Sequence, residues 1–217
     1  MNFTWREHVP SACPCAGQYE PGTGRHFVWL AFLHHENEEP EFRPPGGGRL
    51  SSWGAFANWA TTVFDASSIM HVQMLFWSDA DRAFHTFSVD SLRDAVFPST
   101  RKQFRRGWTF MQLAVSAAEE CAMHEFYRAQ VAARARFNRL GAYLVHARPI
   151  DVNAGRAEHG AAPPAFFCSE LVVCAMHAAG LLLYARAHAV SPASLESLVR
   201  RYSPERIAAE PAKPVRH

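Results

Sequence analysis

The unbroken apolar, aromatic-rich run Phe27-Val-Trp-Leu-Ala-Phe-Leu33 is bounded by turn formers on both sides and predicts a buried strand. From Trp53 to Phe64, apolar residues recur at three- and four-residue spacing (Trp53, Phe56, Ala57, Ala60, Phe64), which predicts a helix that Ser51 or Ser52 would cap. Ile69–Trp77 is rich in β-formers. Ser78-Asp-Ala-Asp81 then reads as a turn into a second strand, Arg82–Val89, so the two should form an antiparallel hairpin. Phe110–Val115 predicts a third strand. Ser116 and Glu119 form an S-x-x-E capping box that opens a helix expected to run through Arg136. The Ala/Arg-rich face of that helix reads as a solvated surface, although Arg134, Arg136 and Arg139 could attract an anion.

Pro163-Pro164 interrupts the chain ahead of Ala165-Phe-Phe-Cys-Ser-Glu-Leu-Val-Val-Cys-Ala-Met-His-Ala-Ala-Gly180. This stretch predicts a helix with its first turn at Cys168–Leu171 and Gly180 as the left-handed residue just past its end. Ser191-Pro192 opens a shorter helix through Leu198, Ser capping and Pro in the first position. Residues 1–50 hold six Pro and six Gly, against 14 such residues in the other 167, and form a turn-rich extension around the first strand. Residues 51–202 form the expected catalytic domain, and the Pro-containing tail 203–217 is expected to be loose.

Composition narrows the function classes. Of 217 residues, 48% are hydrophobic and 19% charged, which suits a packed globular fold. The net charge of 22 − 20 = +2 is too small for a general grip on nucleic acid, so no nucleic-acid partner is expected. Arg6, Glu7 and His8 break the start of the chain, so no secretory segment is expected there, and no apolar stretch reaches membrane-spanning length. Five cysteines at irregular spacing suit reduced thiols, and the expected location is cytoplasmic, in a host cell if the chain is viral. Cys13-Pro-Cys15 has no second pair and His8 and His26 lack ligand spacing, so neither metal nor cofactor is expected.

Candidate chemistry centres on Cys168. A thiol at a helix N-terminus faces free N–H groups and the positive end of the helix dipole, the best electrostatic setting of the five cysteines. Cys174, further along the helix, reads as a core thiol. His71 stands out as a polar residue inside an apolar strand, which makes it the candidate base. His85, 85 − 71 = 14 residues later in the hairpin partner, could face it and orient its ring, with Ser88 or Thr86 taking that part if the register differs. Backbone amides of Cys168 and Ser169, with Gln73 or Asn58 as a side-chain donor, could hold an oxyanion. Trp77, Phe84, Phe166 and Phe167 read as core residues that could also line an apolar acyl pocket.

At these residues the chain resembles the circularly permuted NlpC/P60 branch of the papain-like cysteine hydrolases and acyltransferases. The resemblance rests on His71 in Met-His-Val-Gln-Met, His85 in Phe-His-Thr-Phe and Cys168 in Phe-Phe-Cys-Ser-Glu-Leu-Val, with His preceding Cys by 168 − 71 = 97 residues. Gly141-Ala-Tyr143 and Ser191-Pro-Ala-Ser-Leu195 are weaker echoes. The resemblance implies an α+β papain-like fold in which a small antiparallel sheet packs against the Cys168 helix. It also implies thiol catalysis through Cys168, His71 and His85 on an amide, ester or thioester of a small-molecule, lipid or peptide substrate. Cys168-Ser169-Glu170 departs from the Asn-Cys-x-His-Phe signature of the lecithin:retinol acyltransferase-like relatives, and Phe27–Phe32 departs from the opening strand of peptidoglycan-cleaving members. A lipid acyltransferase of the same fold and a catalytically silent binding or structural module, viral or cellular, are the alternatives.

Overall fold

The computed structural model describes residues 26–34, 68–78, 83–90, 93–101, 107–146, 149–154 and 163–202. The predicted helix Trp53–Phe64, Asn58, Cys13, Cys15 and the C-terminal tail lie outside these residues. The class is mixed α+β: five antiparallel strands form one sheet, in the order β4-β3-β2-β1-β5, with the helices described packing on one of its faces. The strands are β1 (His26–His34), β2 (Ile69–Ser78), β3 (Ala83–Asp90), β4 (Ala95–Arg101) and β5 (Trp108–Val115). A two-stranded parallel pair, β6 (Arg136–Phe137) and β7 (Ala165–Phe166), completes the strands.

The central place of β1 explains its unbroken apolar run. Flanked by β2 and β5, it buries Val28, Leu30 and Phe32 in the large core and Trp29, Ala31 and Leu33 in a second cluster on the opposite face. Alternation along a strand sends successive side chains to opposite faces, so a strand covered on both sides must be apolar at every position. The large core joins Val72, Met74, Phe76, Phe87 and Val89 to α1 (Ala117–Ala132), α3 (Cys168–Ala178) and α4 (Pro192–Tyr202). Between α1 and α3, the short α2 (Arg139–Leu144) is capped by Asn138.

The expected capping box opens α1: Glu119 N–H donates to Ser116 Oγ at 3.2 Å and Ser116 N–H donates to Glu119 Oε2 at 2.7 Å. The helix stops at Ala132, short of the expected Arg136. Arg134 takes a left-handed φ of 52°, and the N–H groups of Arg134 and Ala135 donate to the carbonyls of Val131 and Gln130. This is a Schellman ending with arginine where glycine is usual, which hid it in the sequence. Arg134, Arg136 and Arg139 therefore share no helical face; Arg136 lies in β6, where its Nε donates to Asp94 at 3.0 Å. The α3 terminus matches expectation: Gly180 has φ 76° and Leu181 N–H donates to Met176 O. Likewise Ser191 Oγ accepts from Ser194 N–H at 3.1 Å at the start of α4.

Strand β4 was not anticipated, because Pro98 sits in its middle. As an edge strand it needs a ladder on one side only, where the missing N–H of proline is tolerated.

Candidate active site

The hairpin register decides which polar residues meet. The β2–β3 ladder pairs Met74 with Phe87, Phe76 with His85 and Ser78 with Ala83, so four residues separate the strand ends. In that register His85 shares a face with Phe76, on the side of α1 and α3, while Ser88 lies on the other side. His71, opposite Leu33, also lies on that other side, with Trp108 edge-on to its ring at 6.1 Å between centroids. Ser88 Oγ sits 3.2 Å from His71 Nε2. The expected His71–His85 pairing is therefore corrected: the connecting loop shifts the register to the opposite parity, which turns His85 to the far face, and Ser88 contacts His71 instead.

The β2–β3 ladder covers Met74–Ser78, whereas β2 continues beside β1 to Ile69 and β3 continues beside β4 to Asp90. The two strands thus fork at the end that carries His71 and Ser88. Cys168, the first residue of α3, packs half-buried against the large core at this fork, and its thiol meets the backbone N–H of Val72, the residue after His71. The N–H groups of Ser169 and of Cys168 itself, and the Ser169 hydroxyl, also favour the thiolate. Burial outweighs them and raises the thiol above its ordinary value, so Cys168 rests protonated at neutral pH. The helix N-terminus alone suggests a lowered value; the desolvation that reverses it comes from tertiary packing.

Ser169 is fully buried and donates its Oγ–H to Val190 O at 2.7 Å, tying α3 to the segment before α4. Gln73 lies two residues along β2 from His71, on the same face. Of the four aromatic residues, Trp77 and Phe84 stack edge to face at 5.0 Å on that second face. Phe166 instead packs against Phe126, so the four line no common pocket.

Sequence reading missed the support beneath Cys168. Glu170 is buried and its Oε2 accepts from Phe167 N–H at 3.2 Å and from Asn138 Nδ2 at 3.5 Å. Burial pushes its carboxyl up to about 7, against those two hydrogen bonds. Asn138 also caps α2 through Gly141 N–H at 2.8 Å, and its own N–H donates to Phe166 O at 2.9 Å. A Cβ on Gly141 would come within 2.2 Å of Asn138 Nδ2, so glycine is required there. The Asn three residues before that glycine was the available signal. Cys174 packs against the core, and burial first, then Glu170 and Asp151, push its thiol up to about 12.

On the helix side of the sheet, His85 lies near His124, which is buried between the rings of Phe76 and Phe87 at 5.3 Å each. Burial, then Arg128, lower His124 to about 4, leaving it neutral. Among the described residues, no three His, Cys, Asp or Glu side chains converge as a metal ion would require. No described helix is long and apolar enough to cross a membrane. Comparison with family models, curated proteins and solved structures found no match.

Proposed function

We propose that the chain is a thiol-dependent hydrolase of the permuted papain-like kind, with Cys168 as nucleophile, His71 as base and Ser88 as the residue that positions His71. The observation that carries this reading is the meeting of Cys168 and β2 at the fork: the thiol lies among N–H groups of the α3 N-terminus and beside that of Val72, whose neighbour in the chain is His71, the ring that Ser88 contacts. In this reading the His71 imidazole, positioned by Ser88 at Nε2, takes the thiol proton. The thiolate attacks the carbonyl carbon of an ester, thioester or amide, and the carbonyl π pair moves to oxygen, where the N–H groups of Cys168 and Ser169 donate to it. Collapse expels the alcohol, thiol or amine, which takes the proton from His71. Water then adds to the thioester, giving its proton to His71. Release of the acid returns that proton to Sγ.

A resting thiol raised by burial also favours the second reading, a silent binding module of the same fold. Site-resolved alkylation by iodoacetamide across pH separates the two. The hydrolase reading expects Cys168 to react faster than Cys121 and Cys174, with His71→Ala slowing it tenfold or more at neutral pH. Cys168 reacting no faster than Cys174, with no effect of His71→Ala, would establish the silent module.

A further inference from the structure

Three buried polar groups on the second face of the sheet meet no hydrogen-bond partner: Trp29 Nε1, Gln73 Nε2 and Thr86 Oγ1. Their residues are each no more than 2% exposed. Leaving such a group unpaired costs about 1–3 kcal/mol, and native structures keep few of them. Here the three cluster. Trp29 and Thr86 lie opposite Leu75 from its two sides, and Gln73 is the next residue of β2 on that face, diagonal to both at about 7–8 Å. His71 follows one step further along β2, about 7 Å from Gln73.

We infer that Trp29, Gln73 and Thr86 form a substrate subsite that hydrogen-bonds the acceptor atoms of an uncharged acyl group extending from the reactive carbonyl. An indole N–H, an amide NH₂ and a hydroxyl supply donors, so the complementary ligand is rich in acceptors and poor in donors. The two rows that hold them, Gln112–Trp29–Leu75–Thr86–Ser99 and Phe110–Ala31–Gln73, carry no charged side chain, so a carboxylate would find no counter-ion within them. Leu75, Phe84, Ala31 and Leu33 provide the apolar surroundings an acyl chain needs.

The inference builds on the hydrolase reading, and its test is kept separate from turnover by using full-length Cys168→Ala. Tryptophan fluorescence is titrated with methyl octanoate, octanamide and octanoate at pH 7.5. Methyl octanoate should bind, octanamide more weakly and octanoate at least tenfold more weakly. Thr86→Val and Gln73→Leu should each weaken the ester about five- to tenfold. Because Thr86→Val is nearly isosteric and removes an unpartnered hydroxyl, its melting temperature should hold or rise, which separates lost recognition from lost folding. Absence of ester binding, wild-type ester affinity in both variants, or octanoate binding as tightly as the ester would each overturn the subsite. A Cys168 that alkylates slowly would overturn the hydrolase and leave this binding result standing.

Discussion

The two faces of the same sheet are built for different ends. On one, Val28, Leu30, Phe32, Met74, Phe76 and Phe87 interlock with α1, α3 and α4, and His124 stays neutral among them. On the other, apolar residues of similar burial alternate with His71, Gln73, Thr86 and Ser88: His71 Nε2 contacts Ser88 Oγ, while Gln73 Nε2 and Thr86 Oγ1 make no hydrogen bond. The first face secures the fold. Both faces keep buried polar atoms without hydrogen-bond partners, Tyr127 Oη and both His124 ring nitrogens on the first and Trp29 Nε1, Gln73 Nε2 and Thr86 Oγ1 on the second, and the second set follows His71 along the sheet, where the proposed reaction would use it.

Adjacent residues put this contrast to its strongest test. Phe87 and Thr86 are both buried on β3 but point to opposite faces. Phe87→Ala should cost about 3–5 kcal/mol in denaturant unfolding, by lost burial and a cavity. Thr86→Val should leave stability unchanged or raise it, since it removes an unpartnered buried hydroxyl at nearly constant volume. A large loss at Thr86 would show that the second face is as stabilising as the first.

A smaller effect tests the support of the Cys168 helix through pH. Folding raises the Glu170 carboxyl from 4.5 to about 7, so the folded chain binds more protons than the unfolded chain between those values. The contribution is therefore fully present below about pH 4.5 and lost as pH rises towards 7. Relative to Glu170→Gln, the wild-type melting temperature should fall from pH 5 to pH 7.5 and level off above. A constant difference between the two proteins across that range would contradict a carboxyl titrating near 7.

Smaller again is the expected effect of Gly141→Ala. Its Cβ would displace Asn138 and remove a helix cap worth about 1 kcal/mol. Thermal unfolding measures that loss. Because Asn138 also reaches Glu170, the alkylation rate of Cys168 should shift with it.

Residues that obey local rules were legible from sequence. The Ser116–Glu119 box, the Gly180 ending and the Ser191 cap each depend on contacts within a few residues, and β1 shows itself as one unbroken apolar run. Cys168 and His71 were visible as well, one by its helix start and the other by its misfit in an apolar strand. What failed depended on longer range or on an unusual residue in a usual role. His85 was paired with His71 because a hairpin loop of unknown length leaves face assignment open, and one residue of slip reverses it. The α1 ending was hidden by arginine in a glycine position, and β4 by its central proline. The raised thiol and the Glu170–Asn138 contact arise from packing between segments that no local pattern connects.

The fork also has a consequence in time. His71 and Ser88 belong to a run of neighbouring strands and can meet once residue 90 is made, but Cys168 follows Ser88 by 168 − 88 = 80 residues. At about 5–20 residues per second, that interval is on the order of 4–16 s. During synthesis the histidine and its serine are therefore made before the thiol exists. A growing chain released early would hold the sheet strands without the nucleophile of the proposed reaction, which lies in the last third of the chain.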